Sequence, residues 1–186
     1  MIGIIDTSSL IAIARYYLPI KDEVKLLRFI ESKFRKGELV LLKSIHLEAS
    51  RTQKGLALNL MDFLNDRNLH INDADLMPPA PKKFSNQLDN NLCVTAQRNI
   101  LPANEYSLLK DQYMKTGDAK LIFYALNNMD KIPVVITEET MLSNDGKLFK
   151  KIPAICDILG IKHMTIAEWL VANGLSLAWS HPELTE

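Results

Sequence analysis

The sequence predicts an α/β fold built on a mostly parallel sheet, and three observations carry that reading. Three short apolar runs recur along the chain, Ile2-Gly3-Ile4-Ile5, Leu39-Val40-Leu41-Leu42 and Pro133-Val134-Val135-Ile136, and 161–164 reads as a fourth strand. The first three are continuous runs rather than alternating ones, as expected of strands covered on both faces. Segments with helical apolar period lie between them, which is the alternation that parallel sheets require. The chain has 186 residues, 47% of them hydrophobic and 24% charged, enough to bury one core without disulfides or a structural metal. We read it as one domain over 1–186, with a helical, proline-rich elaboration around 55–115.

The elements follow in order. Ile2–Ile5 ends in Asp6-Thr7-Ser8-Ser9, a strand entering a polar turn, and Leu10-Ile11-Ala12-Ile13-Ala14 continues as a helix with Ser8 or Ser9 as its cap. Between 21 and 36, Val24, Leu27, Ile30 and Phe34 form a helical stripe that Gly37 stops. After the strand at 39–42, Ser44 is the expected cap of a helix carrying Ile45, Leu47 and Glu48. Residues 55–69 read as one helix. Pro78, Pro79 and Pro81 make 73–83 a loop, the expected hinge or inserted connection. Helical patterns follow over 85–100, over 105–114 and from Asp118 through Leu121, Ile122, Ala125 and Leu126. The strand at 133–136 runs into Thr137-Glu138-Glu139. A helix over 153–159 stops at Gly160, and Thr165-Ile166-Ala167-Glu168 is a capping box opening a last helix that Gly174 closes.

Charge and composition exclude several classes. Twenty-two basic and twenty-two acidic residues give a net charge of zero, which rules out a strongly basic nucleic-acid binder and an acidic tail, though not local patches. Cys93 and Cys156 have no partner motif, and His46, His70, His163 and His181 are never paired at helical spacing, so neither a disulfide scaffold nor a zinc site is indicated. No run approaches a membrane span, and the apolar start meets Asp6 at once without a basic flank, unlike a signal peptide. The expectation is a cytoplasmic protein with reduced thiols.

Ligands of parallel sheets sit beyond the carboxyl ends of the strands, so the residues after each strand are the candidates. Asp6 follows the first strand, Glu48 stands one turn into the helix after the second, Asp118 opens a helix, and Glu139 lies just past the strand at 133–136. Carboxylates brought together repel one another unless a cation or a pKa shift intervenes. Oxygen ligands without Cys or His favour Mg²⁺ or Mn²⁺, whose chemistry here is phosphodiester hydrolysis. Ser8 is placed to orient a carboxylate. Each residue also has an ordinary structural use. Asp6 and Asp118 suit helix caps, Glu48 suits an ion pair with Arg51, and Glu138 and Glu139 suit a helix first turn.

Four motifs in order carry a family resemblance. Ile4-Ile5-Asp6-Thr7-Ser8-Ser9-Leu10-Ile11 resembles the opening strand and first acidic motif of PIN-domain ribonucleases of the VapC type. Ser44-Ile45-His46-Leu47-Glu48 is similar to their second motif, Gly117-Asp118-Ala119-Lys120-Leu121-Ile122-Phe123-Tyr124-Ala125 to the third, and Val134-Val135-Ile136-Thr137-Glu138-Glu139 to the fourth. The resemblance implies a PIN-like three-layer α/β/α domain with a sheet of four or five strands. It further implies a Mg²⁺- or Mn²⁺-dependent endoribonuclease, the toxin of a type II toxin–antitoxin pair, with Asp6, Glu48, Asp118 and Glu139 as acidic residues of the metal site and Ser8 as supporting hydroxyl. The fourth position is Glu where the family usually carries Asp, which leaves Glu138 as the alternative fourth acid. Sixty-nine residues separate Glu48 from Asp118, more than compact members carry.

The implied partners are an RNA substrate and a cognate antitoxin protein. Trp179, in the tail, is the candidate contact for a partner or a homodimer, while Trp169 suits the core. Lys43, Lys120, Lys150 and Lys151 are the RNA-binding candidates, with Lys147 completing a small cluster; each also suits a solvated surface. A competing reading is a catalytically inactive PIN-like module that binds RNA or protein. Another is phosphoryl transfer with Asp6 as nucleophile, against which Ser8 counts, because dehalogenase-like phosphatases carry a second Asp there.

Overall fold

Five strands, all parallel, form one sheet in the order β3-β2-β1-β4-β5: β1 Ile2–Ile5, β2 Leu39–Leu42, β3 His70–Ile71, β4 Pro133–Ile136 and β5 Lys162–Met164. The structure is a computed structural model that describes residues 1–19, 23–141 and 146–175. Helices flank the sheet, giving the expected three-layer α/β/α arrangement. β1, β2 and β4 are the innermost strands, and all but Ile2 of their residues are buried. The chain leaves β1 toward β2 on one side and returns to β4 on the other, so the order reverses between β1 and β4. Such a reversal opens a crevice at the carboxyl ends of the two strands. Ile5 pairs with Ile136 there, which sets Asp6 and Thr137 side by side.

The helices that frame the crevice are α1 Thr7–Ala12, α2 Glu23–Arg35, α3 Lys43–Arg51, α8 Gly117–Asn127, α9 Ile152–Leu159 and α10 Ile166–Ala172. Between them lie α4 Leu56–Leu60, α5 Pro81–Gln87, α6 Thr95–Asn99 and α7 Ala103–Tyr113. Gly3 in β1 allows Trp169 of α10 to lie on the sheet: a Cβ there would stand 2.9 Å from both Trp169 Nε1 and Ile136 Cδ1. Trp169 is core, 1% exposed, and meets Phe29 of α2 edge-on. Gly37 and Gly160 take the left-handed conformation expected after a helix, and Thr165 and Glu168 form the expected capping box. In α2 the inward stripe uses Leu26, Ile30 and Phe34, whereas Val24 is exposed.

Several local expectations give way to tertiary packing. Asp6, and not Ser8 or Ser9, caps α1, accepting from the Thr7 N–H at 2.7 Å. Ser44 does not cap α3; it lies inside the helix, and its N–H and hydroxyl both donate to the buried Asp73 carboxylate. Asp73 thus serves the start of α3 from a distant loop. Thr116, one residue ahead of α8, caps that helix by accepting from the Ala119 N–H at 3.3 Å, which leaves Asp118 in the first turn without a capping task. The single helix expected over 55–69 is α4 followed by two 3₁₀ turns, because the fully buried Met61 and Leu64 draw the chain inward and Met61 leaves helical backbone angles. The fifth strand, β3, follows. The helix expected over 85–100 breaks at Cys93, where the chain turns extended to bridge Phe149.

The loop expected as a hinge at 73–83 is anchored. The Lys120 ammonium, from a residue 7% exposed in α8, donates to the carbonyls of Ala74 (3.0 Å) and Leu76 (2.7 Å), and Asn127 donates to that of Met77 at 2.7 Å. Pro81 begins α5, where its missing N–H costs nothing. Among the described residues, no helix is long and apolar enough to cross a membrane. Trp179 lies outside the described residues.

Candidate functional site

Four acids from four separate segments meet at the carboxyl ends of β1 and β4. Asp6 is held most firmly, 5% exposed, with both carboxylate oxygens engaged. Oδ1 accepts from the Thr7 N–H, while Oδ2 accepts from Ser8 Oγ at 2.5 Å and Thr137 Oγ1 at 3.0 Å. The two hydroxyls are themselves fixed from behind. Ser8 Oγ accepts from the Glu138 N–H at 3.0 Å and Thr137 Oγ1 from the Glu139 N–H at 3.2 Å. One carboxylate is thereby locked to the turn that follows β4, a supporting role for Ser8 of the kind its spacing suggests.

Glu48 approaches from α3 and Asp118 from α8, and the glycine that opens α8 makes room for the encounter. A Cβ on Gly117 would lie 3.2 Å from Glu48 Oε2 and 3.0 Å from Ile45 Cδ1. Glu139 closes the set. Its Oε2 accepts from the Ile152 N–H at 3.0 Å, at the start of α9, and its Oε1 pairs with Lys151 Nζ at 3.3 Å. Glu138, the alternative fourth acid, does not join the others: its Oε1 accepts from the Ile166 N–H at 2.7 Å and Ser9 Oγ at 3.4 Å, which ties it to α10.

Asp6, Glu48 and Asp118 are all raised above the usual carboxylate range. Burial pushes the Asp6 carboxyl above the usual carboxylate range, against the Ser8 and Thr137 hydrogen bonds, with the charge of Glu139 adding to the rise. Burial, then the charge of Asp6, raises Glu48. Asp118 is pushed up to about 7, first by burial and then by the charges of Asp6, Glu139 and Glu48, while Lys147 pulls the other way. Two buried hydroxyls at this site, Thr7 Oγ1 and Tyr113 Oη, have no hydrogen-bond partner among the described residues. The Thr7 hydroxyl faces Glu48 and favours its charged form, yet falls short of hydrogen-bond geometry. Burial, then the charge of Asp118, pushes the Tyr113 phenol up.

Among the described residues, no three His, Cys, Asp or Glu side chains stand as a finished cage for a metal ion. The donor chemistry nonetheless fits a hard divalent cation. The converging groups are carboxylates, their mutual repulsion is what a cation would relieve, and the orphaned Thr7 hydroxyl sits beside Glu48.

The lysines divide. Lys120 is buried and spent on the loop carbonyls, so it is no RNA contact; an amphipathic reading of α8 could not show that its ammonium turns inward. Lys151 is paired with Glu139 at the rim of the acids. Lys43 is exposed at the start of α3. Lys147 and Lys150 line a cleft of about 320 Å³ that opens beside Asp118 and Glu139. Thr7, Thr137 and Tyr113 had no role assigned from sequence. Thr137 carried a usable signal, a hydroxyl directly after a strand that neighbours Asp6, whereas nothing local marked Tyr113.

No curated protein and no solved structure matches the chain. A family model does, over residues 4–177, and it spans all four acids, α10 and the sheet except for the first two residues of β1. The chain belongs to the family described as a domain of unknown function, DUF4411.

Proposed function

We propose that this protein is a Mg²⁺- or Mn²⁺-dependent endoribonuclease, in keeping with its resemblance to PIN-domain ribonucleases. The observation that carries the reading is the convergence of Asp6, Glu48, Asp118 and Glu139 at the sheet reversal, where burial and neighbouring acids put the charged forms of Asp6, Glu48 and Asp118 at a disadvantage. Asp6, Glu48 and Asp118 would hold the cation, with Glu139, engaged by Lys151 and α9, contributing through water. A bound divalent cation supplies a water of lowered pKa and neutralises charge on the scissile phosphate. The chain's own residues do the rest. Ser8 and Thr137 fix the orientation of Asp6, and Lys147 and Lys150 bring positive charge to the phosphates beside an otherwise acidic centre.

The test is cleavage of single-stranded RNA in Mg²⁺ or Mn²⁺. Activity should vanish in EDTA and in Asp6→Asn and Asp118→Asn variants that keep wild-type circular dichroism. Metal-independent cleavage, or full activity in both variants, refutes the reading. The toxin role is a further proposal: expression should arrest growth, Asp118→Asn should relieve the arrest, and a small protein encoded by an adjacent reading frame should block it. Cytoplasmic location, an antitoxin partner and a homodimer belong to the same proposal.

One observation favours a second reading, a catalytically inactive module that binds RNA or protein. Both Glu139 oxygens are engaged within the chain. On that reading wild type binds without cleaving, and Asp118→Asn binds equally well.

A further inference from the structure

The cleft beside Asp118 and Glu139 has features that a bare metal centre does not need. Its lining is apolar at Leu109 of α7, Leu148 and Phe149, and cationic at Lys147 and Lys150. Tyr113 lines it as well. It is 8% exposed, its ring lies against Phe149 with centroids 4.3 Å apart, and its hydroxyl has no hydrogen-bond partner among the described residues. A buried hydroxyl without a partner is costly, and a native structure that keeps one calls for a functional or solvent partner. The strip that carries three of the lining residues is anchored by backbone bonds: Val94 N–H donates to Leu148 O at 2.8 Å and Lys150 N–H to Leu92 O at 2.9 Å, either side of the Cys93–Phe149 bridge. Its volume is at the lower end of small-ligand sites, room for one nucleotide.

We propose that this cleft is a single-nucleotide subsite: it takes one unpaired nucleotide of the RNA strand adjoining the acids, with the Tyr113 hydroxyl and Lys150 holding its phosphate and the Phe149 wall taking its base. The proposal rests on the ribonuclease reading for the identity of the strand, and on the cavity and Tyr113 for the subsite. An aromatic, partly apolar wall accepts only a base freed from pairing, so the site selects single strands. Tyr113 is a contact to substrate here, not a support for another residue.

The experiment measures anisotropy of a fluorescein-labelled, mixed-sequence single-stranded RNA in EDTA, across a salt titration, with cleavage of the same RNA in Mn²⁺ measured separately. Tyr113→Phe removes one oxygen and keeps the ring. The expected result is binding weakened about tenfold with a melting temperature equal to or above wild type, since no internal hydrogen bond is lost. Lys150→Ala should flatten the slope of log affinity against log salt by about 0.7, the share of one phosphate contact on a single strand. Wild-type affinity in Tyr113→Phe overturns the subsite, as does a wild-type protein that binds no single-stranded RNA. Should Tyr113→Phe melt lower, Lys150→Ala decides: an unchanged salt slope overturns the proposal. Binding that follows this pattern without Mn²⁺-dependent cleavage leaves the subsite standing and removes the nuclease reading. Cleavage abolished by Asp118→Asn but untouched by Tyr113→Phe, with equal binding, does the reverse.

Discussion

Asp118→Asn should make the metal-free protein more stable than wild type above about pH 7, by a margin that opens as pH rises toward about 8 and then stays level. The Asp118 carboxyl is raised from 3.8 to about 7 in the folded protein, by burial and by three neighbouring acids. The native state therefore binds a proton more tightly than the unfolded chain. Its contribution to stability is complete below the ordinary Asp range and is lost as pH rises through about 7. Every pH unit that separates the folded from the unfolded carboxyl is worth about 1.4 kcal/mol, so ionising Asp118 in the folded protein costs about 4 kcal/mol in full. Between about pH 5 and pH 8 the loss still to come is about 2–3 kcal/mol. Asparagine keeps the shape and carries no charge. Urea unfolding in EDTA, followed by circular dichroism, should show the stability of the variant minus that of wild type widening by that amount over this interval. Adding Mn²⁺ at a hundredfold excess over its Kd should return about 2.7 kcal/mol to wild type and almost none to the variant. A stability difference that stays constant with pH, or that narrows as pH rises, refutes the electrostatic account of the cluster.

Other perturbations separate site from scaffold. Gly117→Ala should raise helix stability by up to about 1 kcal/mol while its new Cβ displaces Glu48, lowering Mn²⁺ affinity by about tenfold or more in calorimetric titration. Lys120→Ala should destabilise the fold by about 2–3 kcal/mol in urea titrations by freeing the Ala74 and Leu76 carbonyls, and leave the salt dependence of RNA binding unchanged. Gly3→Ala should cost about 1–3 kcal/mol and shift Trp169 fluorescence, because the added methyl meets the indole nitrogen.

The acidic constellation shows why part of this protein is readable from its residues in order. Asp6 and Glu139 sit at strand ends, and strand ends in a parallel sheet are brought together by the sheet itself, so linear position carried spatial meaning. The choice between Glu138 and Glu139 had no such basis. Consecutive residues beyond a strand point apart, and only the positions of α9 and α10 determine that Glu139 faces the acids while Glu138 serves Ile166. Ser44 and Lys120 failed for a related reason. Both matched a local rule, capping for one and surface charge for the other, and both are claimed by the 73–76 segment, nearly thirty residues from Ser44 and more than forty from Lys120. The two-residue strand β3 is too short to display any period, and its pairing with β2 supplies the whole of its order.

What the residues determine alone is the set of strongly periodic and strongly punctuated elements: the apolar runs that must be covered on both faces, α2 with its Gly37 stop, the Thr165–Glu168 box, and the acids at the strand ends. These depend on interactions within a few positions, or on burial that any sheet would demand. The tertiary structure alone decided the strand order, the broken helices on either side of the proline-rich loop, the inward turn of Lys120 and the cleft beside Asp118. Each of those depends on which distant group completes a hydrogen bond or fills a volume, as when Asp73 takes the start of α3 and Tyr113 packs on Phe149. The shift of Asp118 toward neutrality has the same origin, since it requires burial and three other acids that only the folded sheet brings together.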